Sequence, residues 1–274
     1  MRRRTFQGII PKWLVRDDGR YTINGRTLSE YGLFVSAAGL TVGEVEPAAA
    51  YRAVPGMDGD HDVSFTNRDG AVYLPRRTVS LAIGCIGLES DFIHSQVELA
   101  TLMGKTVRLR DNRQPGYWVG RISIGEWEVE RNYNGCFVQA STTLNIEAQP
   151  YMLGDTLSKT WSAAGSQTVN IPGNRQTWPV FTITPVSTSA NITLTCRDDG
   201  DTVDDRKLTL VKPSGGWGAM AITVDMEHGA VTTGSNPFYG IDMTTDFWPL
   251  SPGLQRIGLT NAKGSMEVDA RWIM

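Results

Sequence analysis

The stretch EWEVERNYNGCFVQASTTLNIE, residues 126–147, decides the fold of this protein. Apolar side chains alternate with glutamates up to a run of turn-forming residues at Asn132–Gly135. On the return, the set from Val138 to Ile146 alternates with more polar neighbours. A period of two residues is typical of a strand with one covered face. The stretch therefore predicts a long β-hairpin, which we place at residues 117–148.

The segment before this hairpin predicts the one helix of the chain, at residues 90–103. Ser90 or Asp91 is expected to cap its start, and Gly104 to end it. Two overlapping sets of apolar residues recur at helical spacing and predict core packing. These sets are Ile93, Val97 and Ala100, and Phe92, Leu99 and Met103.

The first third of the chain predicts short strands around a long connection. Asn24-Gly25 favours positive φ at both turn positions and predicts a tight hairpin. Residues 37–75 have little periodicity and include the turn-rich run Val54–Asp60, which predicts a loop or an exposed arm. Further strands are predicted at Leu33–Ser36, Val79–Cys85 and Thr106–Arg110.

The second half predicts a β-sandwich. Residues 152–178 are rich in Ser, Thr, Gly and Asn and are interpreted as a linker. From Trp178-Pro179 onward, short alternating runs follow one another with no helix between them, which is typical of a sandwich. The predicted strands contain Phe181 and Ile183, Ile192 to Cys196, Leu208–Val211, Ala221–Val224, Ile257–Leu259, and Met266 to Ala270.

Composition narrows the class of function. Hydrophobic residues make up 41% of the 274 positions, enough for a real core. With 26 basic and 29 acidic residues the net charge is -3, so binding of nucleic acid through a broad basic surface is not expected as the main activity. No run of about 18 apolar residues occurs. These features predict a soluble protein, with no membrane partner, that folds in a cytoplasm.

Side chains that could act in catalysis or metal binding are few and scattered along the chain. Cys85, Cys136 and Cys196 form no CxxC pair and are interpreted as buried small hydrophobes. The histidines, His61, His94 and His228, lack metal-ligand spacing. The sequence therefore predicts no catalytic residue, no cofactor site and no metal site, and we do not expect an enzyme.

Acidic residues also lack a pattern that points to a site. Asp58, Asp60 and Asp62 resemble the start of a calcium loop, but the glycine and glutamate that complete an EF-hand are missing. The neighbouring pairs Asp198-Asp199 and Asp204-Asp205 are interpreted as solvated turn residues. A glycosidase carboxylate pair stays open as an alternative, because sequence cannot show a cleft.

Tryptophans offer the other alternative, a carbohydrate-binding module. Most are expected in the core or at interfaces. Trp217, Trp248 and Tyr239 lie in loop-like stretches, where exposed rings could stack on sugars of a host surface.

Several stretches, in order along nearly the whole chain, resemble the distal tail protein family of siphophages. The motifs are INGRTLSEYGLFVS (23–36), VPGMDGD (54–60), LATLMGKTVRL (99–109), LNIEAQPYMLGD (144–155), ITVDMEHGAV (222–231), DFWPLSPGLQRIGLT (246–260) and MEVDARW (266–272). The resemblance implies a mainly β protein of two domains. Residues 1–153 would be a ring-forming belt domain with one helix and the long hairpin, and 154–274 a galectin-like β-sandwich.

The resemblance also implies a structural function in a virion. Such a protein forms a ring, typically a hexamer, that connects the tail tube protein to tail-tip and receptor-binding proteins and leaves a channel for DNA. It performs no catalysis, and it assembles in the cytoplasm of the bacterial host. Ring closure needs a contact between two different patches. We predict that segments 117–148 and 52–65 form much of that subunit contact.

Overall fold

The computed structural model describes residues 14–15, 19–66, 72–200, 206–218 and 221–274. The chain forms two compact units, Met1–Met152 and Leu153–Met274. The predicted mainly β fold is confirmed, and the described residues contain one α-helix. No helix in the described ranges is long and apolar enough to span a membrane.

The first unit is built on antiparallel strands, one helix α1 and a short 3-10 helix at Leu28–Tyr31. Its elements are β1 Leu14–Val15, β2 Tyr21–Ile23, β3 Arg26–Thr27, β4 Phe34–Val42, β5 Tyr51–Ala53, β6 Asp60–Asp62, β7 Arg77–Ile86, α1 Glu89–Ala100, β8 Thr106–Asp111, β9 Gly116–Ile124, β10 Glu128–Arg131 and β11 Phe137–Ala148.

The predicted long hairpin is confirmed, with a break between its first two segments. β9 and β10 both pair with β11, and residues 125–127 separate them. The opposite edge of β11 pairs with β7 over ten residues, from Gln139↔Ile86 to Ala148↔Arg77. β11 is therefore a central strand, hydrogen-bonded on both sides.

The helix is shorter than predicted and begins differently. It spans Glu89–Ala100, with Leu88 as N-cap residue and no side-chain cap, so the expected caps at Ser90 or Asp91 are wrong. Thr101, not Gly104, is the C-cap residue. Helix ends are set by packing as well as by capping, and Phe92 and Leu99 are buried against the sheet side.

The region predicted as a loop contains more strand than expected. β4 continues to Val42, well beyond the predicted end at Ser36, because its second half pairs with β7 from Leu40 to Val42. Further on, β5 and β6 pair as Tyr51↔Asp62 through Ala53↔Asp60 and form a small sheet of their own. Residues 67–71 of this region lie outside the described ranges.

The second unit is the predicted β-sandwich, but the expected linker 152–178 is wrong. Two strands, β12 Met152–Trp161 and β13 Gly165–Ile171, occupy most of it, since polar strands with one exposed face resemble linkers in composition. The other strands are β14 Val180–Pro185, β15 Ile192–Asp198, β16 Arg206–Leu210, β17 Ile222–Asp225, β18 Ala230–Thr233, β19 Asn236–Pro237, β20 Gly253–Thr260 and β21 Ala262–Trp272.

Two sheets form this sandwich. One runs β12-β21-β14-β17-β18-β19, and the other runs β13-β20-β15-β16. Side chains from both sheets share one core, with Phe181 packed edge-on against Trp248 at 5.8 Å. Trp161 and Cys196 are buried in the same core. The alternation predicted in each strand thus corresponds to inward-facing residues.

A buried arginine, Arg77, closes the base of the first unit. Its Nε donates to the carbonyl of Gly43 at 2.9 Å, a second nitrogen donates to the same oxygen, and a third donates to the carbonyl of Pro150 at 3.4 Å. The guanidinium lies 5.2 Å from the ring centre of Trp118. Burial lowers the pKa of Arg77, although arginine keeps its proton at neutral pH.

We expect Arg77→Met to lower the free energy of unfolding by about 1–3 kcal/mol, because it leaves buried carbonyls without donors. Arg77→Lys keeps the charge but loses the planar guanidinium group. Its free energy of unfolding should therefore lie between those of wild type and Arg77→Met. Urea unfolding of Arg76→Met, at an exposed neighbouring position, is the control and should differ from wild type by less than about 0.5 kcal/mol. Equal effects at the two positions would contradict the role of Arg77.

An ion pair between Arg20, the residue before β2, and Asp111 at the end of β8 joins these two strands. Arg20 donates two hydrogen bonds to the carboxylate of Asp111, at 2.9 and 2.7 Å, and the backbone N–H of Arg113 donates a third at 3.0 Å. Burial alone would raise the pKa of Asp111, but these donors outweigh it and lower the pKa. The carboxylate therefore stabilises the fold in its ionised form.

Because the folded-state pKa of Asp111 is depressed, its stabilisation is complete above its ordinary pKa of about 3.9 and is lost as pH falls through the folded value. We expect Asp111→Asn to be less stable than wild type by about 1.5–3 kcal/mol at pH 7. Chemical unfolding at pH 7 and at pH 2 measures the difference, which should shrink at the lower pH. A difference that is the same at both pH values would refute this assignment.

Candidate subunit interface

The cysteines divide into two buried residues and one exposed. Cys85 and Cys196 lie in strand cores as predicted, and burial raises the pKa of Cys85 to about 11. Cys136 is exposed, so its predicted burial is wrong. It lies directly after the turn Asn132–Gly135 that connects β10 to β11. A thiol held protonated by burial is a poor nucleophile, so Cys85 acts as a packing residue.

The histidines and aspartates considered as site residues lie apart from one another, and several of them pair with a single charged neighbour. His94 lies 3.3 Å from Glu98 and His228 lies 2.7 Å from Asp225, each within one turn of chain. Asp198 accepts from Arg206 at 2.7 Å. Asp204 and Asp205 lie outside the described residues.

The described ranges bring together no three His, Cys, Asp or Glu side chains that could hold a metal ion. Asp58, Asp60 and Asp62 are exposed on the segment of β6 and the turn before it. Asp62 accepts a backbone hydrogen bond from Ser64. The side chains of all three aspartates therefore face solvent.

The predicted sugar-stacking residues are mostly unavailable. Trp217 and Trp248 are buried, at 6% and 1% exposure, and the indole N–H of Trp217 donates to the carbonyl of Ala190 at 2.7 Å. Both thus have the burial that was expected of most tryptophans, and the alternative of sugar stacking is wrong for these two, because the sandwich core includes aromatic residues from its connections. Only Tyr239 of the three, at 86% exposure, presents its ring to solvent.

An arm, defined here as residues 48–66 with the strands β5 and β6, projects from the first unit. Its base is tied by the N–H of Ala48 to the carbonyl of Tyr73 at 3.0 Å. All residues of both strands are exposed. The arm nonetheless carries large apolar side chains at 42% to 86% exposure, namely Tyr51, Val54, Met57, Val63 and Phe65.

Helix α1 and the residues at its two ends expose further large apolar side chains, called here the helix face: Ile93 and Val97 within the helix, Leu88 before it and Met103 after it. Their exposed fractions lie between 52% and 63%. The prediction that Ile93, Val97, Ala100 and Met103 pack in the core is therefore wrong, because one helix side already covers the sheet through Phe92 and Leu99. Phe92 packs on Trp127 and Phe137, both at 5.1 Å.

The outer edge of the long hairpin carries charge. All four residues of β10 are exposed, and Glu128, Glu130 and Gln139 line a shallow depression beside Val129. Arg131 pairs with Glu89 at the start of α1. Charged edge strands discourage unspecific pairing. β10 is therefore an edge strand of the hairpin whose charges oppose unspecific pairing.

The sheet face opposite the buried side chains of β7 and β11 is polar. Ser80 donates to the side chain of Asn145 at 2.7 Å, and Ser123 on β9 donates to the Asn145 carbonyl at 3.4 Å. Glu147 stands directly across from Arg121 in the register of β11 and β9. This face therefore carries hydroxyl and amide groups and charges of both signs.

Comparison with known proteins gives a structural likeness only. No protein family and no curated protein matches the sequence. Among solved structures, the chain is similar to the Dit protein of phage SPP1, described as a paradigm of the hub adsorption apparatus in phages that infect Gram-positive bacteria. The TM-score is 0.66 at 16% identity, over 92% of this chain and 99% of the SPP1 protein.

The chain has the Dit fold. The resemblance to distal tail proteins is thereby confirmed at the level of fold. Two structures of the phage P2 baseplate in its activated conformation, with Ca and with Sr, are also similar. They give TM-scores of 0.38 and 0.36 at 8% identity, over 85% of this chain and 90% and 91% of those chains.

Within this Dit fold, sequence reasoning found the arm but missed the helix face. The turn-forming run Val54–Asp60 marked the arm, although not its pairing as β5 and β6. The helical period predicts that Ile93 and Val97 lie on the same side of the helix. It does not tell whether other residues pack against that side. The glutamates near these two residues in the sequence, Glu89 and Glu98, were the available signal that this side could face solvent.

We expect the double change Ile93→Ser with Val97→Ser to alter the stability of the dissociated chain by no more than about 0.5 kcal/mol per site, because these side chains lie at the surface. Leu99→Ala on the buried side should cost about 2–5 kcal/mol. Urea unfolding at low protein concentration compares the two. A double variant as unstable as Leu99→Ala would mean that the helix face is part of the core.

Proposed function

We propose that this chain is a structural protein of a phage tail, which forms a closed, hexameric ring at the distal end of the tail. The ring joins the tail tube protein to tail-tip and receptor-binding proteins, in a virion assembled in the cytoplasm of the bacterial host. Residues 1–153 form the ring, and residues 154–274 form a galectin-like sandwich at its periphery. The chain acts by assembly and not by catalysis.

The observation that carries this proposal is the likeness to the SPP1 Dit protein over nearly the full length of both chains. The arm and the helix face give it physical support, because large exposed apolar patches on a single chain mark contact surfaces. The segments 52–65 and 117–148 are proposed to contribute much of the subunit contact.

The channel for DNA is proposed to run along the polar face of β7, β11 and β9. Ser80 and Asn145 place hydroxyl and amide groups on this face, where the Ser80 hydroxyl donates to the Asn145 side chain. Arg121 stands across from Glu147, so a cation here has an opposite charge beside it. A wall with balanced charge holds phosphates weakly, and this favours passage of DNA over binding.

We expect the purified chain to form rings of six subunits with a central hole. Light scattering on a concentration series measures the mass, and negative-stain images of the same samples show the shape. The exposed apolar area favours assembly through burial of that area. A monomer at every concentration would contradict the proposed ring, and a closed dimer would indicate one self-complementary patch in place of two different ones.

A further inference from the structure

We propose that the arm of each subunit seats on the helix face of a neighbouring copy of this chain. The inference rests on the proposed ring and names the two surfaces that would close it. The arm supplies Tyr51, Met57 and Phe65, and the helix face supplies Ile93 and Val97.

The arm cannot bury its own apolar side chains. A two-stranded hairpin is marginally stable in water, and β5 and β6 form a sheet of their own. Tyr51 and Phe65 are 64% and 86% exposed, and Tyr73 beside the arm base is 61% exposed. At about 150–250 Å² for each ring, these three aromatics present on the order of 400 Å² to solvent. That is roughly half of the 800 Å² that one partner gives to a standard interface.

The helix face lies away from the base of the arm. The arm leaves the sheet beside Gly43, which bonds to Thr78 at the first end of β7. Helix α1 begins at Glu89, after the other end of β7 at Ile86. Ten residues of strand at about 3.3 Å each place roughly 30 Å between the arm base and the first turn of the helix.

Two different uncovered apolar surfaces on one subunit favour a second copy as the occupant. A head-to-tail contact pairs one patch with the other, so each subunit in a closed ring uses both. A single patch that paired with itself would instead give a two-fold dimer and leave the other patch uncovered. Ile93 and Val97, at i and i+4, are neighbours on one side of α1 and together offer an apolar ridge.

Cross-linking tests the pairing directly. The variant Met57→Cys with Val97→Cys, in a Cys136→Ser background, carries one thiol on the arm and one on the helix face. Cys85 and Cys196 are buried and do not compete. With a short bis-maleimide, the double variant should give a ladder of linked chains on a denaturing gel. Each single variant, and Met57→Cys combined with Tyr239→Cys on the second unit, should give no ladder.

The mass of the same samples separates this inference from the proposed function. Rings that give no ladder would overturn the pairing of arm and helix face and leave the ring in place. A cross-link within single chains would also overturn it, since the arm would then cover its own helix. Chains that remain monomeric at every concentration would overturn both the pairing and the ring.

A matched pair of substitutions gives an independent measurement. Val97→Asp should raise the concentration at which half of the chains are assembled by at least about tenfold, which is the effect of losing roughly 1.4 kcal/mol at an interface. Val186→Asp, at a similarly exposed valine of the second unit, should leave that concentration within about twofold. An equal response to both substitutions would overturn the proposal.

Discussion

The first unit depends on the central position of β11, whose backbone is hydrogen-bonded to β7 on one edge and to β9 and β10 on the other. This double pairing fixes the register of the strands beside it and therefore which residues face the core. Alternate residues from Ala140 to Ala148 are buried. The residues between them form the polar face that we propose lines a channel. One strand thus sets both a core and a functional surface.

Arg77 fixes the position at which the chain leaves this sheet for the arm. A buried cation in contact with two backbone carbonyls and an aromatic ring is costly to place unless its donors are used. It holds Gly43, the residue after β4, beside the start of β7, where the chain leaves the sheet for β5 and β6. The arm itself has no cover, so its fixed point of departure determines where its exposed rings can reach.

Structural elements that depend on neighbouring residues were predicted correctly. The turn at Asn24-Gly25 forms the hairpin of β2 and β3, with both residues at positive φ. The polar stretch 152–178 was misread, because its strands expose one face and owe their order to pairing with β20 and β21. Cys136 was predicted to be buried and is exposed for the same reason, since burial depends on distant segments. The arm was visible as a dense run of turn formers, whereas the helix face was not recognised as a surface.

The sequence by itself determined the β class, the alternation that builds the long hairpin, the position of one helix and the order of motifs that resembles distal tail proteins. These features follow from periodicity and turn chemistry, which act over a few residues. Only the tertiary structure decided which apolar residues are covered. Leu99 is buried and Val97, two residues before it, is exposed. Whether a helix residue is buried depends on which distant strand packs against its side of the helix. The spacing of apolar residues in the sequence does not contain that information.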